Sequence, residues 1–436
     1  MVDTKPFGAL PQMADTDVVK PYTINIPEEK ISRMKQLVEL SNIAEICYEN
    51  SQPGDSREYG VRHDWIIAMR ERWLNKFDWK EHESHLNTFP HFVASIEDST
   101  TSPDPYSIHF MALFSTREDA LPILFPHGWP GSFLEFIPML SQIKHQYNND
   151  ASSLPYHIIV PSLPGFGLSS SPPVQQPVTQ DGELFGMESV ARIFNTLMAK
   201  LFGPSTKYVA QGGDIGSRIT RILAALHANC VAAHLNFSPV PQPEELKGEE
   251  LDARAKKGIE RYEWFKSKGS AYALFQATKP GTLGFVLSSN PLAVLAWIGE
   301  KFLDWTDPAS FPADPPHSSA SSQFAEDILL GASLYWLSGR IATTFYTYRE
   351  SFALSGTAPS GHANPRYRIQ EPKMMGFSWF PMELAPIPIS WIGATGNLIW
   401  SKQHDKGGHF AAFEQPHALW SDVEEFVQVV KQNLSS

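Results

Sequence analysis

Residues 208–217 read Tyr-Val-Ala-Gln-Gly-Gly-Asp-Ile-Gly-Ser. An apolar run gives way to glycines, and Ile219, Ile222, Leu223 and Leu226 then follow at helical spacing. The pattern is strand, sharp turn, helix. Gly212 and Gly216 stand two residues either side of Asp214, where such a turn brings backbones together and strains its central residue. The familiar elbow of this kind carries Ser at its centre; here the centre is Asp214. Taken alone, the turn also reads as a Gly-rich loop whose aspartate caps the helix.

Two further turns argue against the bland reading. Phe125-Pro126-His127-Gly128-Trp129-Pro130-Gly131-Ser132 follows an apolar run. Its backbone N–H groups, with that of Ile215 after the nucleophile, can point at developing negative charge. His127 reads as a hydrogen-bond former that fixes this loop rather than as a base. Gly407-Gly408-His409-Phe410 comes just before the last helix, where the histidine of such an enzyme arrives on a loop. The carboxylate that would orient His409 is Glu383, in Phe380-Pro381-Met382-Glu383-Leu384; Asp405 and Glu414 are rivals whose nearness to His409 suits local roles. The order Asp214, Glu383, His409 is nucleophile, acid, histidine, the order of the α/β-hydrolase fold.

The rest of the chain fits that fold class: a mostly parallel sheet with helices on both faces, an inserted helical lid and an N-terminal helical arm. Short apolar runs at 106–114, 121–125, 157–160 and 208–210 read as strands, and two more are expected at 232–237 and 389–394. Between these last two the pattern turns helical, with Leu251, Ala255, Ile259 and Tyr262 on one face and Pro/Ser-rich loops at 311–323 and 355–365. The first 100 residues read as helical, with a helix from Pro27 that places Ile31, Met34, Leu37 and Val38 on one face. Trp65, Trp73 and Trp79 read as packing residues. The last helix is expected to open at Ser421 with Glu424 closing a capping box. The division this implies is an arm over 1–100 packing on core and lid, core over 101–239, lid over 240–376 and core again over 377–436.

Composition narrows the function. The chain has 436 residues, 42% hydrophobic, with 35 basic and 47 acidic residues and a net charge of −12. No basic run interleaved with aromatics stands out, so a nucleic-acid partner is not expected. Two distant cysteines, Cys47 and Cys230, exclude a disulfide framework and suit a soluble, cytoplasmic protein. No stretch is long and apolar enough to suggest a membrane span or a signal peptide. The sequons at Asn236 and Asn433 read as chance matches. A homodimer is compatible with all of this.

An aspartate nucleophile dictates the substrate class. A carboxylate with a reference pKa of about 3.9 is ionised at neutral pH and attacks without a base. It forms an ester with saturated carbon, which suits epoxides and alkyl halides; an ester or amide substrate would give a mixed anhydride. Histidine is then free to activate water against that ester. Halide departure wants N–H donors, and dehalogenases of this fold place Trp directly after the nucleophile, where this chain has Ile215. An epoxide leaves as a basic alkoxide and needs a proton donor, such as a phenol of pKa about 10. The lid offers Tyr272 and Tyr348, and also Tyr262, Tyr335 and Tyr346.

At these residues the chain resembles the microsomal-type epoxide hydrolases, especially their soluble fungal members. The resemblance covers nearly the whole chain, from Trp73-Leu74, Phe77-Asp78-Trp79 and Leu86-Asn87-Thr88-Phe89-Pro90 through 127–132, 161–165 and 211–217 to Ala296-Trp297-Ile298-Gly299-Glu300-Lys301 and 407–414. It implies Asp214 as nucleophile, His409 as base, Glu383 as the orienting acid, and Tyr272 and Tyr348 as the paired phenols that hold and protonate the epoxide oxygen. It implies the N–H groups of Trp129 and Ile215 as oxyanion hole, and a cis Trp129–Pro130 peptide. Fungal relatives often carry Asp where this chain has Glu383, and no counterpart of the mammalian membrane anchor is expected. The implied reaction is a small apolar epoxide plus water giving a vicinal diol, with no cofactor and no metal. The alternatives are a haloalkane dehalogenase, a biosynthetic ring-opener that uses an internal hydroxyl, and a non-catalytic binding protein on the same scaffold.

Overall fold

The computed structural model describes residues 6–54, 56–174, 185–311, 322–353 and 361–435. Nine strands among them form one sheet: β1 (Val19–Tyr22), β2 (His91–Ile96), β3 (Tyr106–Leu113), β4 (Leu121–Leu124), β5 (Tyr156–Pro161), β6 (Tyr208–Gly212), β7 (Cys230–Leu235), β8 (Met374–Trp379) and β9 (Leu398–Gln403). Their order is β1-β2-β3-β5-β4-β6-β7-β8-β9. The pairs from β5 through β4 to β9 are parallel, and the β1–β2, β2–β3 and β3–β5 pairs are antiparallel. Every residue of β6, β7 and β8 is buried, because helices cover both faces; continuous apolar runs are the sequence mark of such strands.

Three expectations need correction. The first 100 residues are not all helix: β1 and β2 lie among them and extend the sheet beyond β3. The run at 389–394 is not a strand but a short helix, Ile389–Gly393, which Pro388 precedes; a short apolar run reads alike in either state. The strands in question are β8 and β9, and β9 sits at the sheet edge with alternating half-buried and exposed residues. Finally, the last helix is Pro416–Ser435, so Ser421 lies inside it and caps nothing; its hydroxyl instead bonds Glu425.

The helix Glu28–Leu40 follows Pro27 and buries Ile31, Met34 and Val38. Trp65, Trp73 and Trp79 are buried as packing residues. The N-terminal segment is tied to helices that lie between β7 and β8: Arg57 pairs with Asp304 at 3.0 Å, and Arg72 and His82 reach Glu326 at 2.6 and 3.0 Å. Those intervening helices include Ala253–Trp264, Ala271–Thr278, Pro291–Trp305, Gln323–Ser338 and Tyr346–Ala353. On the first of them Ala255, Ile259 and Tyr262 are half-buried, with Leu251 just ahead of its N-terminus. Most of the two Pro/Ser-rich loops, 312–321 and 354–360, lies outside the described residues. No single described helix is long and apolar enough to cross a membrane; one pair bent by 117°, Pro280–Ser288 with Pro291–Trp305, passes by length and composition only.

Candidate active site

Strand β6 ends at Gly212, and the helix Asp214–Leu226 begins almost at once. Asp214 is forced to φ 43°, a left-handed conformation that side chains other than glycine rarely adopt. The reason is visible in the neighbours. A Cβ on Gly216 would lie 2.0 Å from the Pro126 carbonyl oxygen, and one on Gly212 would lie 2.4 Å from the backbone of Gly216. The turn closes only with bare backbone at those positions, and it lifts Asp214 above the carboxyl ends of the parallel strands, where such sheets bind ligands.

The loop after β4 approaches from one side. A Cβ on Gly128 would sit 2.3 Å from Asp214 Oδ1, so glycine is what lets the loop reach the carboxylate. The Trp129 N–H donates to Asp214 Oδ1 at 2.8 Å, and the backbone N–H of Ile215 also favours the ionised carboxylate. The Trp129–Pro130 peptide is cis. His127 is buried and accepts the Leu163 N–H on Nε2 at 3.2 Å, while its Nδ1–H donates to the Gly128 carbonyl at 2.9 Å. Burial pushes its pKa down to about 4, so it is a neutral fixing group as expected.

From the other side comes the loop after β9. His409 Nε2 lies 3.3 Å from Asp214 Oδ2, and His409 Nδ1 lies 2.5 Å from Glu383 Oε1. Glu383 thus occupies the nitrogen facing away from Asp214; it also accepts the Leu384 N–H at 2.6 Å. The rivals are elsewhere. Asp405 pairs with Arg254 at the surface, and Glu414 accepts the N–H groups of Asp307 and Phe410 at 2.7 and 2.9 Å. Burial disfavours the His409 cation, but Glu383 and Asp214 outweigh it and push the imidazole up to about 10. Burial likewise opposes ionisation of Asp214, yet His409 and the two N–H groups hold its carboxyl below the ordinary value. The resting site is therefore a carboxylate, a cation and an orienting carboxyl in line.

A chamber of about 330 Å³ opens over Asp214, bounded among others by Ile215, Phe237, Tyr272, Tyr348 and Arg218. The hydroxyls of Tyr272 and Tyr348 are 3.5 Å apart. Both rings are fixed against Trp129, Tyr272 stacked at 5.2 Å and Tyr348 edge-on at 5.7 Å. Burial raises both phenols above their ordinary pKa, with the Asp214 charge adding to it, so both stay protonated. The other tyrosines are placed differently: Tyr335 donates to the Gly131 carbonyl at 2.9 Å, and Tyr346 packs edge-on to Phe185. Tyr262 is half-buried on the helix Ala253–Trp264, where Lys266 lies over its ring. Among the described residues no group of three or more His, Cys, Asp or Glu is arranged to hold a metal ion.

Residues the sequence reading did not single out also shape the site. Trp305 receives the His409 N–H on its carbonyl at 2.9 Å and stands edge-on to the imidazole at 5.0 Å. Arg261 grips the carbonyls of Met382 and Glu383 at 2.9 and 2.6 Å, which steadies the acid. Neither carries a spacing signal, since each acts across more than 100 residues of sequence.

Comparison with known proteins gives a consistent result. The family profile described as "Epoxide hydrolase N terminus" matches residues 19–136, and that described as "alpha/beta hydrolase fold" matches residues 122–263. The Aspergillus niger epoxide hydrolase structure is 41% identical, superposes with a TM-score of 0.83, and covers 97% of this chain and 99% of its own. A Dothistroma septosporum chain provisionally named an epoxide hydrolase is 39% identical, over 97% of this chain and 93% of its own length. Epoxide hydrolase 1 of Oryctolagus cuniculus is 30% identical over 98% of this chain and 92% of its own length.

Proposed function

Since this chain belongs to the epoxide hydrolase family and adds water to an epoxide to give a vicinal diol, we propose that it does so in two covalent steps, with Asp214 as nucleophile and His409 as base. The observation that carries this reading is the three-sided hold on Asp214. One oxygen faces the Trp129 N–H, the other faces His409, and two phenols share the chamber above. In the first step an Asp214 oxygen attacks an epoxide carbon and the carbon–oxygen bond of the ring breaks. Tyr272 and Tyr348 hydrogen-bond the departing oxygen, and one of them protonates it.

Ester formation changes the electrostatics around the histidine. Asp214 loses its charge, so His409 keeps only Glu383 as an anionic neighbour and its proton affinity falls. The proton it sheds balances the one the phenol gave up. Neutral His409 then takes a proton from water as the water oxygen adds to the ester carbon, and the oxyanion rests on the N–H groups of Trp129 and Ile215. Collapse breaks the bond between the ester carbon and the diol oxygen, the hydroxyl that water added passes its proton to that departing oxygen, and the diol leaves with the Asp214 carboxylate restored beside cationic His409. We read the protein as a soluble, cytoplasmic enzyme for small apolar epoxides; the aromatic and aliphatic chamber walls support the substrate class.

A single turnover in heavy-oxygen water with enzyme in excess tests the route. The expected result is unlabelled diol and label in the peptide containing Asp214. The His409→Gln variant should accumulate a protein adduct heavier by the mass of the epoxide. Labelled diol in the first turnover, without an adduct, would mean direct attack by water and would refute Asp214 as nucleophile.

A further inference from the structure

Asp214 stands between two chambers and is the one described residue that lines both. The first is the 330 Å³ space with the two phenols. The second is a cavity of about 20 Å³ on the His409 side, bounded among others by Gln211, Asn236, His409 and Glu135. A polar cavity above roughly 10–15 Å³ holds one water molecule. Gln211 is buried there, and its Oε1 has no hydrogen-bond partner among the described residues.

Glu135 needs an explanation of its own. Ser132-Phe133-Leu134-Glu135 has the spacing of a capping box, in which the glutamate would accept the Ser132 N–H. Neither of the two reciprocal bonds of that box forms. The Ser132 hydroxyl accepts the Leu134 N–H at 3.2 Å, while the Glu135 carboxyl makes no hydrogen bond or ion pair among the described residues. It is half-buried, and burial pushes its pKa up to about 8, with His409 pulling it down and Asp214 pushing it up. A carboxyl taken out of bulk water without a partner is costly, and a bound water is the usual remedy. Room for it is made by Gly131, where a Cβ would lie 2.0 Å from Glu135 Oε2. Glu135 and Gly131 also border a separate cavity of about 190 Å³, none of whose lining residues is Asp214, Tyr272 or Tyr348.

We propose, building on the two-step reading above, that Glu135 holds the hydrolytic water against the Asp214 ester from the His409 side. The water donates one hydrogen bond to Glu135 and gives its other proton to His409 Nε2 as its oxygen bonds the ester carbon. The displaced electron pair goes to the carbonyl oxygen, beneath the Trp129 and Ile215 N–H groups. Glu135 neither gains nor loses a proton. It is a positioning group for water, and it has no part in forming the ester. Epoxide and water thus approach one carboxyl from opposite sides.

The test is single-turnover kinetics with a styrene-type epoxide, following ester formation and decay by intact-protein mass. Glu135→Leu should form the ester at the wild-type rate and hydrolyse it about 10²-fold more slowly, the cost of a misplaced reactant. Glu135→Gln, whose amide oxygen still accepts a hydrogen bond, should recover most of that rate. Gly131→Ala, which pushes the carboxyl aside, should slow the same step. Ester decay at the wild-type rate in Glu135→Leu, or equal slowing of both steps, would overturn the proposal and leave Glu135 a structural residue. His409→Gln run in parallel separates the two readings. If it accumulates ester and Glu135→Leu does not, the water site is wrong and the nucleophile stands. If neither accumulates ester, the covalent route itself fails.

Discussion

Removing one hydroxyl from the phenol pair isolates the first chemical step. Tyr272→Phe keeps the ring that stacks on Trp129 at 5.2 Å, and Tyr348→Phe keeps the ring that meets it edge-on at 5.7 Å, so neither change should disturb packing. The two hydroxyls are 3.5 Å apart, a weak contact whose loss costs little stability. What is lost, on the proposed mechanism, is one of two donors to an oxygen that leaves as an alkoxide. Deleting one such preorganised donor costs about 3–4 kcal/mol, or roughly 10²–10³-fold in the rate of ester formation. The double variant has no donor left and should lose at least as much again, so roughly 10⁴-fold or more. Decay of the ester should be untouched, because the oxyanion hole proposed for that step is the Trp129 and Ile215 N–H groups and not the phenols. Stopped-flow indole fluorescence reads both phases, since Trp129 lies against Tyr272. Ester formation near the wild-type rate in either single variant would remove that tyrosine from the mechanism. Slower ester decay with unchanged formation would put the pair in the wrong step.

The charge arrangement makes a pH prediction for stability. The pKa of His409 is raised from its ordinary 6.5 to about 10, so its stabilising contribution is complete below 6.5 and is lost as pH rises toward 10. The wild-type melting temperature should therefore fall more steeply over that window than that of His409→Gln; parallel slopes would contradict the raised value. The elbow makes a packing prediction. Gly216→Ala puts a methyl 2.0 Å from the Pro126 carbonyl oxygen and should cost about 3 kcal/mol in urea unfolding. Gly281→Ala, in the helix Pro280–Ser288 with nothing within 4 Å, should instead gain up to about 1 kcal/mol. Equal effects would mean that the close approach is not what holds glycine at 216.

The parts of the fold that were legible are those whose signal is local. Strand β6, its turn and the helix after it occupy 19 consecutive residues, from Tyr208 to Leu226, and steric necessity fixes glycine at their junction. The strands that escaped owe their state to distant partners. Val19 pairs with Ala94, and β2 in turn with β3, so nothing in Val19-Lys20-Pro21-Tyr22 alone announces a strand. Strand β9 lies at the edge and carries Ser401, Lys402 and Gln403, which blunt its apolar character. The run at 389–394 misled for the opposite reason: its residues are apolar because they are buried, and burial does not distinguish a helical turn from a strand.

The same contrast holds inside the site. Asp214 and His409 are framed by glycines, and the histidine loop must bend where Gly407 takes φ 112°. Glu383 was legible only through the order of the three groups along the chain. Glu135 was hidden by a motif that has another meaning, since Ser-x-x-Glu ahead of a helix ordinarily reports capping. Only three dimensions reveal that its carboxyl turns away from the Ser132 N–H and into a cavity shared with His409 and Asp214. Backbone strain at Asp214 has a use here. A carboxylate raised on a left-handed residue stands clear of its own helix and borders two cavities, and on the two-step proposal the epoxide carbon would come from one and the water that frees the ester from the other.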